Sequence, residues 1–344
     1  MAADQRDPLE RLLRGEHLTE GEARRLMHAL AAGDVDPVQA GGLLAALRAK
    51  GETADELRGF ASVMRELALA PALPPGSSCV DTVGTGGDGS GSVNISTATG
   101  LLAAAAGVRV AKHGNRSVSS RCGSSDVLAE LGLSRPLDAT EVGECLAATG
   151  FTFLFSPAFH PAMKSIMPVR TALGVRTVFN MLGPLVNPAK PPFQLIGAFS
   201  VGVARLLAEA LAGLPIRRAF VVHGTPGWDE ATPVGPYHLF DVSPGEVRES
   251  VRDPADVGLP RCNAEALAGG DAGNNAAALE RVLRGEDRGA YRDAVVLNTG
   301  LVLELMGEAD TLADGVAAAG AALDDGRGAR VLDALATFGR RCAS

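Results

Sequence analysis

The chain has 344 residues, of which 46% are hydrophobic and 21% charged, a balance typical of a globular protein with two domains. The formal net charge of −8 argues against a general binder of nucleic acid or of anionic membranes. The five cysteines are scattered and form no CxxC pair, which argues against a disulfide framework or a zinc site. The charged N-terminus resembles no signal peptide, and no apolar stretch is long enough to cross a membrane, so we expect a cytoplasmic protein.

Three amphipathic helices are predicted at the start of the chain, before a Pro- and Gly-rich linker at residues 70–78. Their N-terminal signals are Thr19 with Glu22, Asp36 with Pro37, and Thr53 with Glu56. Helices this short form only a thin core of their own, so their apolar faces should pack against something else. Two alternatives follow: a homodimer contact, which we favour, or packing against the rest of the chain.

Short apolar strands alternate with helical segments from residue 79 onward, and the pattern becomes helical again after Asn263. The predicted strands are residues 80–83, 108–111, 151–155, 194–199 and 218–222. Alternation of this kind predicts a mostly parallel central sheet flanked by helices. We therefore predict an α/β fold with a small N-terminal all-α domain. Residues 1–73, joined by part of the segment 160–190, should form the helical domain, and residues 79–344 the α/β domain.

A glycine-rich segment, VDTVGTGGDGSGSVNISTATG, spans residues 80–100 between a predicted strand and a predicted helix. Glycines let the backbone approach a ligand closely, and the helix start adds N–H donors and a positive dipole end. This order of elements indicates a phosphate site. Glycine-rich turns also occur simply where a chain bends, and the spacing matches neither of the two common nucleotide-binding motifs.

A second polar segment, KHGNRSVSSRCGSSDVLAELG, follows the next predicted strand at residues 112–132. Its donors could surround phosphate oxygens with charge-assisted hydrogen bonds, whereas the alternative is a solvated polar loop. They are Lys112, His113, Asn115, Arg116, Ser119, Ser120 and Ser124. Ligands of open α/β sheets bind beyond the carboxyl ends of the strands, where this segment and the glycine-rich one should meet.

Basic residues recur in the third segment, residues 160–188, at Lys164, Arg170 and Arg176. An arginine beside a phosphate site is a candidate carboxylate clamp because its guanidinium matches a carboxylate in shape. Pro168 is expected to interrupt a helix here. His160 can equally be structural or functional.

An adjacent acid pair, Asp229 and Glu230, lies in the fourth segment, residues 223–236. Such a pair can be merely solvent-facing. Beside a diphosphate, however, it would supply carboxylates for Mg²⁺, with water and phosphate completing six oxygen ligands.

The four segments together resemble the anthranilate phosphoribosyltransferase family, over nearly the whole chain. The motifs that carry the resemblance are GTGGD at 84–88, NIST at 94–97, KHGNR at 112–116, HPAMK at 160–164, RT-x-FN-x-LGPL-x-NP at 176–188, and the HG…DE loop. The chain departs from the family pattern at Ser117, Ser125 and Trp228, which concerns loop packing only.

The resemblance implies that anthranilate's amine displaces diphosphate from phosphoribosyl diphosphate, in tryptophan biosynthesis. It also implies Mg²⁺, a nucleoside phosphorylase/phosphoribosyltransferase-like fold, and a homodimer through the helical domain. The residues implied to bind phosphoribosyl diphosphate are Gly84, Gly87, Asp88, Ser92, Asn94, Ile95, Ser96, Thr97, Lys112, His113, Gly114, Asn115, Arg116, Ser117, Val118, Ser119, Ser120 and Ser124. Those implied to bind anthranilate are Gly84, Asn115 and Arg170, and those for the metal are Ser96, Asp229 and Glu230. The resemblance assigns no general acid or base.

Two rival functions are weighed against this one. A pyrimidine nucleoside phosphorylase would share the architecture, but the KHGNR and LGPL-x-NP motifs argue against it. A relative that binds nucleic acid would carry a basic stripe and would have lost the acid pair, and neither holds here.

Overall fold

Helices occupy both ends of the chain and a sheet lies between them in the computed structural model, which describes residues 3–116, 122–225 and 227–343. The helices are α1 (Ala3–Leu13), α2 (Glu20–Ala32), α3 (Pro37–Lys50), α4 (Ala54–Leu67), α5 (Ile95–Ala105), α6 (Ser124–Glu130), α7 (Ala139–Thr149), α8 (Ser156–Phe159), α9 (Met163–Leu173), α10 (Phe179–Leu182), α11 (Val201–Ala212), α12 (Ala272–Leu283), α13 (Ala290–Met306), α14 (Leu312–Asp324) and α15 (Arg327–Ala343). The strands are β1 (Cys79–Gly84), β2 (Arg109–Gly114), β3 (Phe151–Phe155), β4 (Phe193–Gly197), β5 (Arg218–Gly224), β6 (Tyr237–Ser243) and β7 (Glu246–Arg252). Within the described ranges, every helix is too short or too polar to cross a bilayer.

The sheet of the described chain has the strand order β3-β2-β1-β4-β5-β6-β7. Strands β1 to β5 pair in parallel, and β6 and β7 add antiparallel pairs at one edge. The predicted α/β fold with a mostly parallel sheet is confirmed. The two antiparallel strands were not predicted. Of these, β7 gives no signal because it is a largely exposed edge strand whose sequence, EVRESVR, contains no apolar run.

Two apolar cores lie on opposite faces of the sheet. On one face, α5, α13 and α15 contribute to the larger core around Val80, Val110 and Phe220. On the other face, α2, α3 and α4 share a core with α11 and with Ile196 and Val221 of the sheet. The apolar faces of α2 and α4 are therefore packed against the rest of the chain rather than left open.

This packing corrects the argument from which a homodimer was favoured. Leu26 and Leu30 of α2 are only 6% and 4% exposed in the single chain, because α2 packs against α4 and α9. Their apolar surface is used within the chain, so they cannot form a contact between subunits. The sequence pattern could not distinguish these alternatives, since both require the same buried helix face.

The helix starts of this region are confirmed in detail. Thr19 accepts a hydrogen bond from Glu22 N at 3.3 Å, and Glu22 Oε2 accepts one from Thr19 N at 2.8 Å. Thr53 and Glu56 form the same reciprocal pair. One helix of this region was missed, α1, whose sequence ADQRDPLERLL has five charged residues among eleven and carries its leucines only in its second half.

The predicted interruption at Pro168 is wrong, since α9 continues through it from Met163 to Leu173. Proline removes one backbone hydrogen bond from a helix interior. Packing offsets that loss here, because Val169 and Leu173 lie against α3 at Gly41. The result is a continuous helix that carries Arg170 on its last turn.

Candidate active site

The acid pair Asp229 and Glu230 lies across the carboxyl ends of β1, β4 and β5. Each of these strands ends at a glycine. A Cβ built on Gly84 would overlap Asp229 Oδ2, and one on Gly197 would overlap the Asp229 carbonyl oxygen. A Cβ on Gly224 would overlap the Glu230 carbonyl oxygen. These three glycines therefore create the space that the acid pair occupies. Gly197 was not predicted as a site residue, because the strand predicted at residues 194–199 ran past it, and β1, β4 and β5 are neighbours only in the sheet.

Asp88 of the glycine-rich segment joins the acid pair, and one oxygen from each of the three carboxylates lies within 4.8 Å of the others. Asp88 Oδ2 accepts a hydrogen bond from Asp229 N at 3.3 Å. Burial and then the charge of Asp88 raise the pKa of Asp229 to about 7. Burial, followed by the charges of Asp229 and Asp88, raises the pKa of Glu230 well above its usual range. A cation at this position would relieve the repulsion among the three groups.

The donor set of this cluster suits a hard divalent cation. It offers carboxylate oxygens without a thiol or an imidazole, which is the preference of Mg²⁺ rather than of zinc. Glu230 Oε2 is buried and has no hydrogen-bond partner among the described residues. Ser96, the other predicted metal ligand, accepts a hydrogen bond at Oγ from Lys112 Nζ at 3.2 Å.

The glycine-rich segment forms an open loop between β1 and α5. Gly86, Gly87, Gly89 and Gly91 all have left-handed φ values between 61° and 77°, a region that side chains disfavour. The loop is held at one end by Thr85 N, which donates to the Gly197 carbonyl at 2.9 Å. Gly86 N donates to Asp229 Oδ2 at 2.6 Å, so the loop and the acid pair are joined directly.

The NIST motif begins α5 behind this loop. Asn94 is the N-cap residue, but its side chain accepts from Asn275 at 2.9 Å and donates to the Cys122 carbonyl at 3.4 Å instead of capping the helix. Ile95 is fully buried in the larger core, so only its backbone is available to a ligand. The Thr97 hydroxyl is also buried and has no partner among the described residues. Ser92 pairs with Ala268 in an isolated bridge.

Lys112 lies under the loop with its ammonium group buried. It donates to the Thr82 carbonyl and to Ser96 Oγ, and it is only 1% exposed. Burial lowers the pKa of Lys112 to about 8, although the charges of Asp81, Glu230 and Asp229 act in the opposite direction. The charge therefore sits between the two strand-end segments, where it favours an anion or offsets the acid cluster.

The rest of the second polar segment lies near the surface. Asn115 is exposed and accepts a hydrogen bond from Arg116 N at 2.7 Å, while the Arg116 guanidinium lies 5.8 Å from the centroid of the Phe155 ring. Gly114 leaves room for the Phe153 ring, and Ser124 is the first residue of α6. The predicted site residues Ser117, Val118, Ser119 and Ser120 lie outside the described residues.

Asp81 and Asn187 form a buried connection that the sequence did not reveal as part of the site. Asp81 accepts from His113 N at 3.1 Å and from Asn187 Nδ2 at 2.8 Å, and Asn187 also donates to the Ala111 carbonyl at 2.8 Å. Burial raises the pKa of Asp81 to about 6. Asn187 belongs to the LGPL-x-NP motif, which is therefore tied to the middle of β1 and β2.

Arg170 and Arg176 differ in their surroundings. The Arg170 guanidinium lies 5.2 Å from the centroid of the Phe179 ring, and burial lowers its pKa from the usual value. The Arg176 guanidinium donates to the Gly87 carbonyl of the glycine-rich loop. Arg176 was noted in the sequence but not assigned to the site, because nothing in its spacing indicated which of the basic residues would reach the loop.

His113 and His160 form a buried pair, with ring centroids 5.1 Å apart in an edge-to-face arrangement. His113 Nδ1 lies 3.2 Å from the Gly183 carbonyl, and His160 is only 2% exposed. Burial lowers the pKa of His113 to about 3 and that of His160 to about 4. Both rings are therefore neutral at pH 7.

We expect His160→Gln to reduce the acid sensitivity of folding. The pKa of His160 is about 4 in the folded protein and about 6.5 when unfolded. Its contribution to stability is complete above pH 6.5 and is lost as the pH falls toward 4. The free energy of unfolding should drop by about 2 kcal/mol less between pH 7 and pH 5 in the variant than in the unmodified protein. Urea denaturation at both pH values measures this.

His28→Gln is the matched control, because the His28 side chain is 50% exposed. Substitutions of exposed side chains change stability little, so that variant should keep the free energy of unfolding of the unmodified protein at pH 7. Equal pH dependence in His160→Gln and the unmodified chain would contradict the burial of a neutral imidazole at position 160.

Comparison with known proteins places this site in a family. The profile of the glycosyl transferase family, a/b domain, matches residues 76–329, and that of the same family's helical bundle domain matches residues 6–68. The chain is 46% identical over 338 residues to the anthranilate phosphoribosyltransferase of Desulforudis audaxviator, which covers 98% of this chain and 97% of that protein.

Two solved structures give the same result for the fold. The crystal structure of the anthranilate phosphoribosyltransferase of Thermus thermophilus matches with a TM-score of 0.89 and 45% identity, over 97% of this chain and 99% of that one. The Saccharomyces cerevisiae enzyme, solved in complex with phosphoribosyl diphosphate and Mg, is 24% identical and has the same fold, with a TM-score of 0.88 over 99% of both chains. The chain belongs to the anthranilate phosphoribosyltransferase family.

Proposed function

We propose that this chain transfers the phosphoribosyl group of 5-phosphoribosyl 1-diphosphate to the amine of anthranilate, in the second step of tryptophan biosynthesis from chorismate. The observation that carries the proposal is the cluster of Asp88, Asp229 and Glu230, joined through Gly86 N to a glycine-rich loop at the carboxyl ends of the strands. Family membership then selects the pair of substrates.

Phosphoribosyl diphosphate would bind between the two strand-end segments. Backbone N–H groups of the glycine-rich loop, the start of α5 and the buried charge of Lys112 are suited to phosphate oxygens. The residues assigned to it remain Gly84, Gly87, Asp88, Ser92, Asn94, Ile95, Ser96, Thr97, Lys112, His113, Gly114, Asn115, Arg116, Ser117, Val118, Ser119, Ser120 and Ser124.

Mg²⁺ would be held by Asp229 and Glu230, with Ser96 nearby and Asp88 as a further carboxylate. When bound, Mg²⁺ neutralises charge on the departing diphosphate. The chain's own part is to hold these carboxylates close together in spite of their repulsion, which the strand-end glycines make possible.

The reaction forms a bond between the amine nitrogen and C1 of the ribose and breaks the bond from C1 to the diphosphate oxygen. The electron pair of the broken bond leaves with the diphosphate, and the amine loses one proton. An aromatic amine is already neutral near pH 7, so attack requires no strong general base. Positioning of the two substrates and stabilisation of the leaving group therefore supply most of the acceleration.

Anthranilate would bind near Gly84, Asn115 and Arg170, with its carboxylate facing the Arg170 guanidinium. Arg170 has a cationic group that is partly buried against Phe179, where a carboxylate would pair with it more strongly than in water.

Arg170→Ala should raise KM for anthranilate about tenfold to a hundredfold, because a charge-assisted pair contributes about 1.5–3 kcal/mol. KM for phosphoribosyl diphosphate should stay nearly unchanged, since the phosphate segments are separate from α9. Steady-state kinetics with each substrate varied in turn test this. An unchanged anthranilate KM would remove the carboxylate assignment, and parallel changes in both KM values and kcat would indicate that Arg170 only braces its segment.

We also propose a homodimer through the helical domain, but through α1 and α3 rather than α2. Leu13 and Val38 are 66% and 85% exposed, on two helices that pack against each other. Val38→Glu should shift the protein toward monomer in light scattering at micromolar concentration, whereas Val251→Glu, on the exposed edge strand β7, should not. A monomeric unmodified protein would contradict the proposal.

The domain division is proposed as residues 1–73 and 79–344, with part of the segment 160–190 belonging to the helical side. Side chains from Ile166, Phe179 and Leu185 support it, because they share the core of α2, α3 and α4. We propose the cytoplasm as the location, in keeping with the five cysteines, among which the described part of the chain forms no disulfide.

The direct test of the proposed function is anthranilate fluorescence in the presence of the purified chain. Fluorescence should fall only when phosphoribosyl diphosphate and Mg²⁺ are both present. Replacing phosphoribosyl diphosphate by ribose 5-phosphate should leave it constant, because no diphosphate can depart. Constant fluorescence in the complete mixture would refute the proposal.

A further inference from the structure

Arg176 makes two contacts with the strand-end region, although its side chain is exposed. Its Nη2 donates to the Gly87 carbonyl, and its guanidinium lies 4.6 Å from the centroid of the Phe199 ring. Phe199 is itself tied to the same loop, because its N–H donates to Thr85 Oγ1 at 3.2 Å. The Gly87 carbonyl and the Phe199 ring therefore both fix the orientation of the Arg176 guanidinium.

The Gly87 carbonyl belongs to the peptide unit that joins Gly87 to Asp88. A trans peptide is planar, so its C=O and N–H point in opposite directions. When Arg176 holds the carbonyl of Gly87, it also fixes the direction of the Asp88 N–H, away from the guanidinium. Gly87 has φ 74°, and glycine changes its backbone conformation at little cost, so this peptide plane is poorly fixed by the local chain alone.

The Thr85–Gly86 peptide, two units earlier in the loop, is already fixed by the acid pair, because Gly86 N donates to Asp229 Oδ2 at 2.6 Å. Without Arg176, rotation of the Gly87–Asp88 peptide would turn a carbonyl oxygen into a region that must accept an anion. The Gly87 carbonyl oxygen would then face the anion in place of the Asp88 N–H donor. The same rotation would move Asp88 within the acid cluster.

A link to the helical domain completes the arrangement. Arg48 of α3 donates from Nη1 to the Arg176 carbonyl, so the backbone that carries the guanidinium is itself held by a helix of the first domain. Arg176 thus connects α3 to the glycine-rich loop, with its backbone carbonyl bound to Arg48 and its side chain bound to Gly87.

We propose that Arg176 is a positioning residue that holds the Gly87–Asp88 peptide so that the loop presents N–H donors to the diphosphate of phosphoribosyl diphosphate. The inference rests on the proposed function. It assigns to Arg176 no contact with either substrate, and it predicts an effect on the affinity for one substrate only.

The test compares Arg176→Met and Arg176→Lys with Arg217→Met. Arg217 is the matched control, because it is also exposed and also lies over a phenylalanine of the β4 region, 5.5 Å from the centroid of Phe193 at the opposite end of the strand. Arg176→Met should raise KM for phosphoribosyl diphosphate about tenfold, with KM for anthranilate within about twofold of the unmodified value. Arg176→Lys, which can still donate to Gly87, should recover part of the loss, and Arg217→Met should have no effect on either KM.

Thermal melting separates positioning from general stability. Exposed arginine contacts contribute little to stability, so Arg176→Met and Arg217→Met should lower Tm by similar small amounts. An unchanged KM for phosphoribosyl diphosphate in Arg176→Met would overturn the inference. So would a rise of both KM values with a Tm clearly below that of the control. If the unmodified protein fails to consume anthranilate, the proposed function itself is refuted. The assay of the unmodified protein therefore separates failure of the proposed function from failure of this inference.

Discussion

Replacing the acid pair by Asp229→Asn with Glu230→Gln should lower kcat/KM by at least about a thousandfold, while the fold is retained or becomes more stable. The loss follows because the amides keep the shape of the side chains but lose the charge that would hold Mg²⁺ against diphosphate. The gain in stability follows because burial and mutual repulsion raise the pKa values of both groups, so their charged forms destabilise the folded protein. Steady-state kinetics over a range of substrate concentrations and thermal melting measure the two effects.

The matched control is another adjacent acid pair, Asp324 and Asp325, whose side chains are about half exposed at the end of α14. Asp324→Asn with Asp325→Asn should leave activity within about twofold of the unmodified protein, because exposed ion pairs are weak. Turnover close to that of the unmodified protein in the Asp229/Glu230 variant at limiting Mg²⁺ would contradict the metal assignment.

Gly197→Ala should lower turnover about a hundredfold, although a methyl group is the only addition. The new Cβ would overlap the carbonyl oxygen of Asp229, so the acid loop must move off the end of β4. Displacements of about 1 Å at a reacting centre cost rates of this size, and forced overpacking costs about 1–3 kcal/mol of stability. Kinetics and urea denaturation of the purified variant provide the measurement.

Gly202→Ala provides the comparison for this effect. Gly202 lies in the first turn of α11, five residues further along, and its added Cβ would meet no heavy atom of the described chain within 4 Å. Alanine has a higher helix propensity than glycine, so this variant should be as stable as the unmodified protein or slightly more stable. Equal activity in the two alanine variants would show that the acid loop is not held at the strand ends as described.

The fold was predictable where local chemistry determines it. The capping boxes at Thr19 and Thr53 specify helix starts through their own side chains, and the apolar runs of β1 to β5 require burial on both faces. Strand β7 was not predicted because an edge strand pairs with only one neighbouring strand and can be almost entirely polar. The path of α9 through Pro168 depends on packing against α3, which no local signal contains.

The candidate site divides in the same way. Asp88, Asp229 and Glu230 could be named from their motifs, but their meeting within 4.8 Å depends on β1 and β5 being separated only by β4. Gly197 acts by leaving space for Asp229, which lies 32 residues further along the chain. Asn187 acts by donating a hydrogen bond to Asp81, which lies 106 residues earlier. Interactions of this kind appear only when the strand order is known.

The central claim is that Asp229, Glu230 and the glycine-rich loop serve the departure of diphosphate during transfer to anthranilate. The most direct test is the ratio of diphosphate released to anthranilate consumed, measured with phosphoribosyl diphosphate as Mg²⁺ is titrated from a chelated start. The account predicts a ratio of one at every Mg²⁺ concentration that supports turnover, and no release of diphosphate when Mg²⁺ is chelated. Diphosphate release without anthranilate consumption, or phosphate-dependent cleavage of pyrimidine nucleosides with anthranilate untouched, would contradict it.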